Sequence, residues 1–388
     1  MATVATAPRS GAFAYFDTDD ETKAKGLFRL LGEDGVPVDE AALAGLDREL
    51  ARRLFDGMVR IRVTDRHMVL LQRQGRISFY GEAVGQEAAI VGSAAATEPE
   101  DWIVPALREA GVGLYRGMTL DSYIAQIFGN AEDPSKGRQM PCHPCDAAHN
   151  YVVMSSCVSS QIPHAVGIAM AMKLRGDKRV CFGYMGDGGT SEGDFHVALN
   201  FAGVMKAPVV LICQNNQWAI STPGSVQTAS ATIALKALGY GVEPLRVDGN
   251  DVLAVHSAVG YAADKARRGD GPTFLELLTY RVSAHSSSDD PTRYRDEAVT
   301  EIWRGQRDPI RRLELYLTRR GWLAAGEREA IATTIEADVR ASIDRAERAP
   351  LPALSTLIDD VFEEPTWLLR EQLAGLAAGA RPKSPHQH

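Results

Sequence analysis

"GYMGDGGTSEGDFHVALNFAGVMKAPVVLICQNNQWAIS", Gly183 to Ser221, is the stretch that decides the fold. Its first apolar run ends on a carboxylate set between glycines, Asp187, and its second ends on two carboxamides, Asn215 and Asn216. The runs predict strands ending at Met185 and Gln214, and Ser191 to Lys206 between them has helical spacing. About two dozen residues separate Gly188 from Asn215, enough for the turn, helix and turn of a right-handed crossover between parallel strands. Asp187 and Asn216 then sit on the C-terminal edge of a parallel sheet, where open α/β proteins bind ligands. Ser191 with Asp194 fits a capping box opening the helix. Gly186, Gly188 and Gly189 leave room for a phosphate against the backbone, and a helix N-terminus favours its charge. A carboxylate, an amide oxygen and a nearby backbone carbonyl are hard ligands that suit magnesium sharing diphosphate oxygens. Asp between glycines is by itself a common turn, and Asn-Asn commonly just ends a strand. The spacing of the two on adjacent strand ends is what favours a metal-bound diphosphate.

The same alternation continues on both sides. "DWIVPA" reads as a short buried strand, "TLDSYIAQIFG" as a helix, and "SQIPHAVGIAMAMKLRG" as a helix with Pro163 near its start. "VEPLRVDGN" and "PTFLELLTYRV" are further strands around the helical "DVLAVHSAVGYAADKARRG". Near-continuous apolar strands alternating with helices predict an α/β fold, a parallel sheet with helices on both faces. Residues 1–45 are expected to be an N-terminal arm. Residues 46–365 are expected to form one domain with C-terminal helices from about 297, and 366–388 a tail that is disordered toward its end. The spacing from Ala42 to Arg73 is helical.

A net charge of −8 over 388 residues argues against nucleic-acid binding. No stretch offers the roughly 20 apolar residues of a membrane span. "MATVATAPRSGAFAYFDTDDETK" has the pattern of neither a secretory nor an organellar signal, so a cytoplasmic location is expected. The five cysteines fit a reducing compartment. Cys142 and Cys145 form a C-x-x-C near His143 and His149, but with no second ligand pair neither zinc nor a redox role is expected. A nicotinamide-binding fold would want G-x-G-x-x-G after an early strand. Here the glycines are scrambled around Asp187, which would repel an uncoordinated pyrophosphate.

GDG followed at this distance by NN resembles the thiamine-diphosphate signature, as found in the α subunits of 2-oxo acid dehydrogenases. The likeness runs from "GLFRLLGEDGVPVD" to the C-terminal helices. Through "QRQGRISFYGEAVGQEAAIVGSAAA", "LREAGVGLYRG", "SKGRQMP", "SSQIPHAVG", "YGVEPLRVDGNDV" and "TYRVSAHSSSDDPTRYR", the chain resembles the branched-chain enzymes more than the pyruvate enzymes.

That resemblance implies roles. Asp187, Asn216 and the Trp218 carbonyl would ligate magnesium, where most relatives carry Tyr at the last position. Gly188 and Gly189 would meet the diphosphate, together with Arg108 and Gln214. Leu107 stands where relatives can carry a tyrosine, and Gln214 where they often carry a charged residue, so two phosphate contacts are altered. Ser156 and Val158 would line the thiamine rings. Ser155, Cys157, Ser160 and Gln161 match a second site, for a monovalent ion such as K+. His285, in one segment with Arg281, Tyr294 and Arg295, matches the active-site histidine on a mobile loop, and Ser286 a position phosphorylated in mitochondrial relatives. Substrate size would be set by pocket residues near Phe79 and Tyr80 and by the β chain.

In the family, a β subunit supplies the glutamate that activates the cofactor, and this chain shows no second cofactor-binding unit. The resemblance therefore implies a complex of two α and two β chains. It would decarboxylate a 2-oxo acid and hand the acyl group to lipoyl-lysine on an acyltransferase component, with His285 assisting. A pyruvate or acetoin dehydrogenase α subunit remains the alternative.

Overall fold

The computed structural model describes residues 9–380. Five strands form one parallel sheet in the order β1-β2-β3-β7-β6: β1 (Trp102–Val104), β2 (Cys181–Gly186), β3 (Val209–Asn215), β6 (Glu243–Asp248) and β7 (Thr273–Leu278). The two remaining strands, β4 (Trp218–Ala219) and β5 (Thr222–Pro223), make a separate antiparallel hairpin directly after the asparagines. Side chains alternate across each strand, and both faces of the sheet are covered. Phe182, Tyr184, Val210, Ile212, Leu275 and Leu277 enter one apolar core, while Cys181, Met185, Val209, Leu211, Cys213 and Phe274 enter the other.

The helices are α1 (Asp20–Lys25), α2 (Arg48–Arg73), α3 (Glu87–Ala95), α4 (Ala110–Arg116), α5 (Leu120–Phe128), α6 (Gln161–Leu174), α7 (Gly193–Met205), α8 (Gly224–Gln227), α9 (Val252–Arg268), α10 (Glu297–Gly305), α11 (Pro309–Arg319), α12 (Glu327–Arg348) and α13 (Trp367–Ala378). The core joined by α2, α3, α9, α11 and α12 is the larger; α6 and α7 cover the opposite face. Helix α3 is buried on every side from Glu87 to Ala94. Gly92 lets it approach α9, because a Cβ there would lie 2.8 Å from both the Val252 carbonyl oxygen and Val255 Cβ.

The arm packs on the sheet edge, where Phe28 bridges Val247 in parallel. Asp251 fastens it: one carboxylate oxygen accepts from Leu30 and Leu31 N–H at 2.7 and 2.6 Å, and the other caps α9 through Leu253 and Ala254. Residues 1–8 of the arm and 381–388 of the tail, including the end expected to be disordered, lie outside the described residues. Within the expected tail, Trp367–Ala378 form α13. It is capped by the Thr366 hydroxyl and has no buried residue.

One local expectation fails. The capping box does not form: Ser191 ends a 3-10 turn over Asp187–Ser191, and α7 begins at Gly193 with no side-chain cap. The tight turn uses Ser191 before the helix starts, so Asp194 has no partner at the capping distance.

Candidate active site

Strands β2 and β3 pair in parallel with Gly186 opposite Gln214, so the polar residues after each strand emerge side by side. They open onto a cavity of about 400 Å³. Its lining includes Asp187, Gly188, Gly189, Glu192, Gln214, Asn216 and Trp218, the apolar Phe79, Leu107, Met140, Met154 and Val158, and Ser155, Ser156, His143 and His285. Asp187 is 2% exposed, and burial pushes its carboxyl above the usual carboxylate range. Its one side-chain donor is Gln227 Nε2, at 2.9 Å, and the Asn216 backbone N–H also faces the carboxylate. Asn216 thus meets Asp187 through its backbone, and both residues line the cavity. Asn216 Nδ2 donates to Gln86 Oε1 at 3.0 Å, and its Oδ1 accepts from Trp218 N–H at 3.2 Å.

The glycines act differently from one another. A Cβ on Gly186 would meet nothing, whereas on Gly188 it would lie 2.7 Å from Ala219 Cβ, so that position is small because the β4–β5 hairpin crosses it. Arg281, fully buried, fixes the hairpin by donating to the Trp218 and Ile220 carbonyls at 3.2 and 2.7 Å and to the Tyr294 hydroxyl at 2.6 Å. Arg295 in turn binds the Arg281, Val282 and Ser283 carbonyls.

Arg108 is buried and donates to the Glu82 and His285 carbonyls, tying two loops over the cavity. His285 N–H donates to Asp289 Oδ2 at 2.7 Å. Burial, then the Arg108 and Arg281 charges, push the His285 imidazole down to about 4, so it is neutral near pH 7. Ser286 beside it is buried.

Other expected residues are placed less uniformly. Ser156 and Val158 line the cavity, Val158 at 59% exposure. Ser160 Oγ donates to Ser155 Oγ at 3.0 Å and to the Cys157 carbonyl at 2.8 Å, so three of the four residues of the monovalent-ion quartet meet. Gln161 lines the same cavity but makes no hydrogen bond to the other three; its Nε2 donates to the Tyr184 carbonyl at 2.9 Å, because the first turn of α6 lies against β2. Phe79 lines the cavity, but Tyr80 points under it, its hydroxyl on Asp65 at 2.7 Å and on Tyr123 at 3.0 Å. The C-x-x-C thiols face different partners, Cys142 the Gly81 N–H and Cys145 the Ser135 hydroxyl.

Gln86, Glu109 and His143 escape the sequence reading. His143 Nδ1–H donates to the Pro141 carbonyl at 3.0 Å, which leaves Nε2 to accept from the Ser156 hydroxyl. Its place between the two cysteines is the only signal, and it bears only on a metal or redox motif, neither of which is expected.

Buried side-chain atoms of four cavity residues lack partners: Gln86 Nε2, Ser159 Oγ, Gln161 Oε1 and Gln214 Oε1. Together with an uncompensated buried carboxylate, they fit a polar, cation-bearing ligand.

The family described as "Dehydrogenase E1 component" matches residues 56–355. The chain belongs to this family. It is 41% identical to the 2-oxoisovalerate dehydrogenase subunit alpha 2, mitochondrial, of Arabidopsis thaliana, over 92% of this chain and 76% of that one. It is 40% identical to the alpha subunit of that name from Caenorhabditis elegans (91% and 82% covered) and 39% identical to the human one (90% and 79%). The parallel α/β sheet agrees with the family's fold. Membership makes the chain a component of a 2-oxo acid dehydrogenase, implies dependence on thiamine diphosphate, and for an alpha-type subunit implies a beta-type partner.

Proposed function

We propose that this chain is the α subunit of a branched-chain 2-oxo acid dehydrogenase. In a complex of two α and two β chains, it would bind magnesium–thiamine diphosphate, decarboxylate a branched 2-oxo acid and pass the acyl group to lipoyl-lysine of an acyltransferase component. One observation carries the reading: Asp187 and Asn216 follow the ends of paired strands, the Asn216 N–H faces the Asp187 carboxylate, and both line a cavity with buried polar atoms that lack partners.

The Asp187 carboxylate, Asn216 Oδ1 and Trp218 carbonyl would hold magnesium, with Arg281 keeping that carbonyl in place. Arg108 and the N–H groups of Gly188 and Gly189 would face the diphosphate. Ser156 and Val158 would line the rings, and Ser155, Ser160 and the Cys157 carbonyl form the core of a monovalent-ion site for K+. Bound there, thiamine diphosphate supplies the electron sink for decarboxylation. Neutral His285 takes up a proton or accepts a hydrogen bond at a ring nitrogen during acyl transfer. Phe79, Leu107, Met140 and Met154 exclude water from the reacting end and suit an aliphatic chain.

The test is reconstitution with a β subunit, comparing 3-methyl-2-oxobutanoate with pyruvate. A higher kcat/KM for the branched acid is expected, and a preference for pyruvate would move the chain to the pyruvate or acetoin enzymes. The α chain alone should decarboxylate neither; full activity without β would overturn the shared-site reading.

A further inference from the structure

A second buried carboxyl, Glu109, is 2% exposed and lines the same cavity as Asp187. Its Oε2 accepts from Arg108 N–H at 3.1 Å, and its Oε1 accepts from Gln214 Nε2. The Arg108 guanidinium faces it but is spent on the Glu82 and His285 carbonyls. The backbone N–H groups of Ala106 and of Glu109 itself also face it, as do Tyr151, whose buried hydroxyl lacks a partner, and Tyr184, whose hydroxyl donates to Ser93. Among the described residues no ion pair compensates Glu109.

The Gln214 amide then poses a chemical problem. With Glu109 ionised, Gln214 gives one of its two amide N–H groups to Glu109 and its buried Oε1 is left without a donor, so the amide turns an acceptor, the wrong polarity for an anion, away from Glu109. With Glu109 as the acid, the carboxyl O–H donates to Gln214 Oε1, and the amide inverts to offer N–H donors to the cavity.

We propose that Glu109 is a further binding residue of this site: the anionic diphosphate is taken up together with a proton on Glu109, which turns the Gln214 amide into a donor toward it. The proposal rests on the thiamine-diphosphate reading above. Burial pushes the Glu109 carboxyl up to about 7, so that proton is within reach near neutral pH. Above that, each pH unit weakens binding by up to tenfold through this one group.

The test is calorimetric titration of thiamine diphosphate, at saturating magnesium, into the α–β complex in buffers of different ionisation heat, from pH 6 to 8.5. Wild type minus Glu109→Gln isolates this proton from those of Asp187 and of the phosphate itself. The expected difference is near zero at pH 6 and most of one proton at pH 8, with Glu109→Gln binding tighter than wild type at pH 8.5. Gln214→Arg, which supplies Glu109 with a cation, should abolish the uptake as well. Equal proton uptake in wild type and Glu109→Gln overturns the proposal. If Glu109→Gln does not fold, undiminished uptake in Gln214→Arg overturns it. Absence of binding by wild type at every pH sinks the cofactor reading instead.

Discussion

Replacing Asp187 by Asn keeps the shape of the side chain and removes its charge. In the cofactor-free chain that charge is a burden: the group is buried, no guanidinium or ammonium among the described residues pairs with it, and its one side-chain donor there is a carboxamide. The sign follows from linkage. Burial raises the carboxyl above its ordinary value, so the stability it contributes is present at low pH and is lost as pH rises through the folded value. Near pH 7, Asp187→Asn relieves that penalty, and the melting temperature of the cofactor-free protein should stay level or rise. With cofactor the effect reverses. A metal held in a buried site loses its only anionic protein ligand, a loss of about 3 kcal/mol for breaking a buried charge pair, or roughly 150-fold in affinity.

The measurements are calorimetric melting of the α–β complex without ligand, and titration of thiamine diphosphate with and without magnesium. Wild type should bind in a magnesium-dependent manner, and the variant weakly and with little magnesium dependence. A variant that melts several degrees lower without ligand but keeps magnesium-dependent affinity would show the carboxylate to be a structural group, and the metal assignment would be lost.

Arg281→Met should release the Trp218 and Ile220 carbonyls and leave them unpaired, costing about 2–4 kcal/mol; melting and proteolysis at the 218–223 hairpin report it. His285 should titrate in NMR near pH 4, and Arg108→Gln should move its midpoint upward by removing a nearby positive charge; a midpoint near 6.5 in wild type would refute the burial argument. Gly92→Ala should cost about 1–3 kcal/mol by forcing α3 away from α9, readable by denaturant titration, with Gly92→Val worse.

How much of this was legible depended on whether a local pattern was present. The four longer strands were placed correctly, because runs such as "VVLIC" are buried on both faces and bounded by turns, although "PTFLELLTYRV" overshoots β7, which stops at Leu278. Asp187 and Asn216 were legible for the same reason: strand ends fix their neighbours. Helix α3 was not, since burial on every side leaves no polar stripe and hence no period to detect. Helix α4 carries two glycines in its seven residues, and β4 and β5 are two residues each, held by Arg281 from far along the chain. Glu109 meets Gln214 across 105 positions, a pairing that neither neighbourhood announces. The hydrogen bond of Gln161 to the Tyr184 carbonyl, not to Ser155 or Ser160, is set by the first turn of α6 against β2, which sequence spacing does not specify. Tyr80 likewise is pulled below the cavity by Asp65, itself a mid-helix residue that reads as surface.

Burial alone does not single out a functional acid in this fold. Asp101 is fully buried yet accepts from Val180 and Glu98 N–H and from two Arg267 nitrogens, at 2.8 to 3.0 Å. Asp251 accepts four backbone N–H groups. Burial raises the carboxyls of Asp187 and Asp251 alike, so what separates them is the number of donors each already owns. A carboxylate saturated by backbone is a strut, and one left short of donors is waiting for a ligand. Asp251→Ala should therefore orphan four N–H groups and cost at least about 3 kcal/mol, equally with and without cofactor, detaching the arm from α9. Asp187→Ala should leave the ligand-free melt nearly untouched and remove the stabilisation that magnesium and thiamine diphosphate confer. If both variants shifted the ligand-free melt by the same amount, the count of donors would carry no information about which acid the site uses.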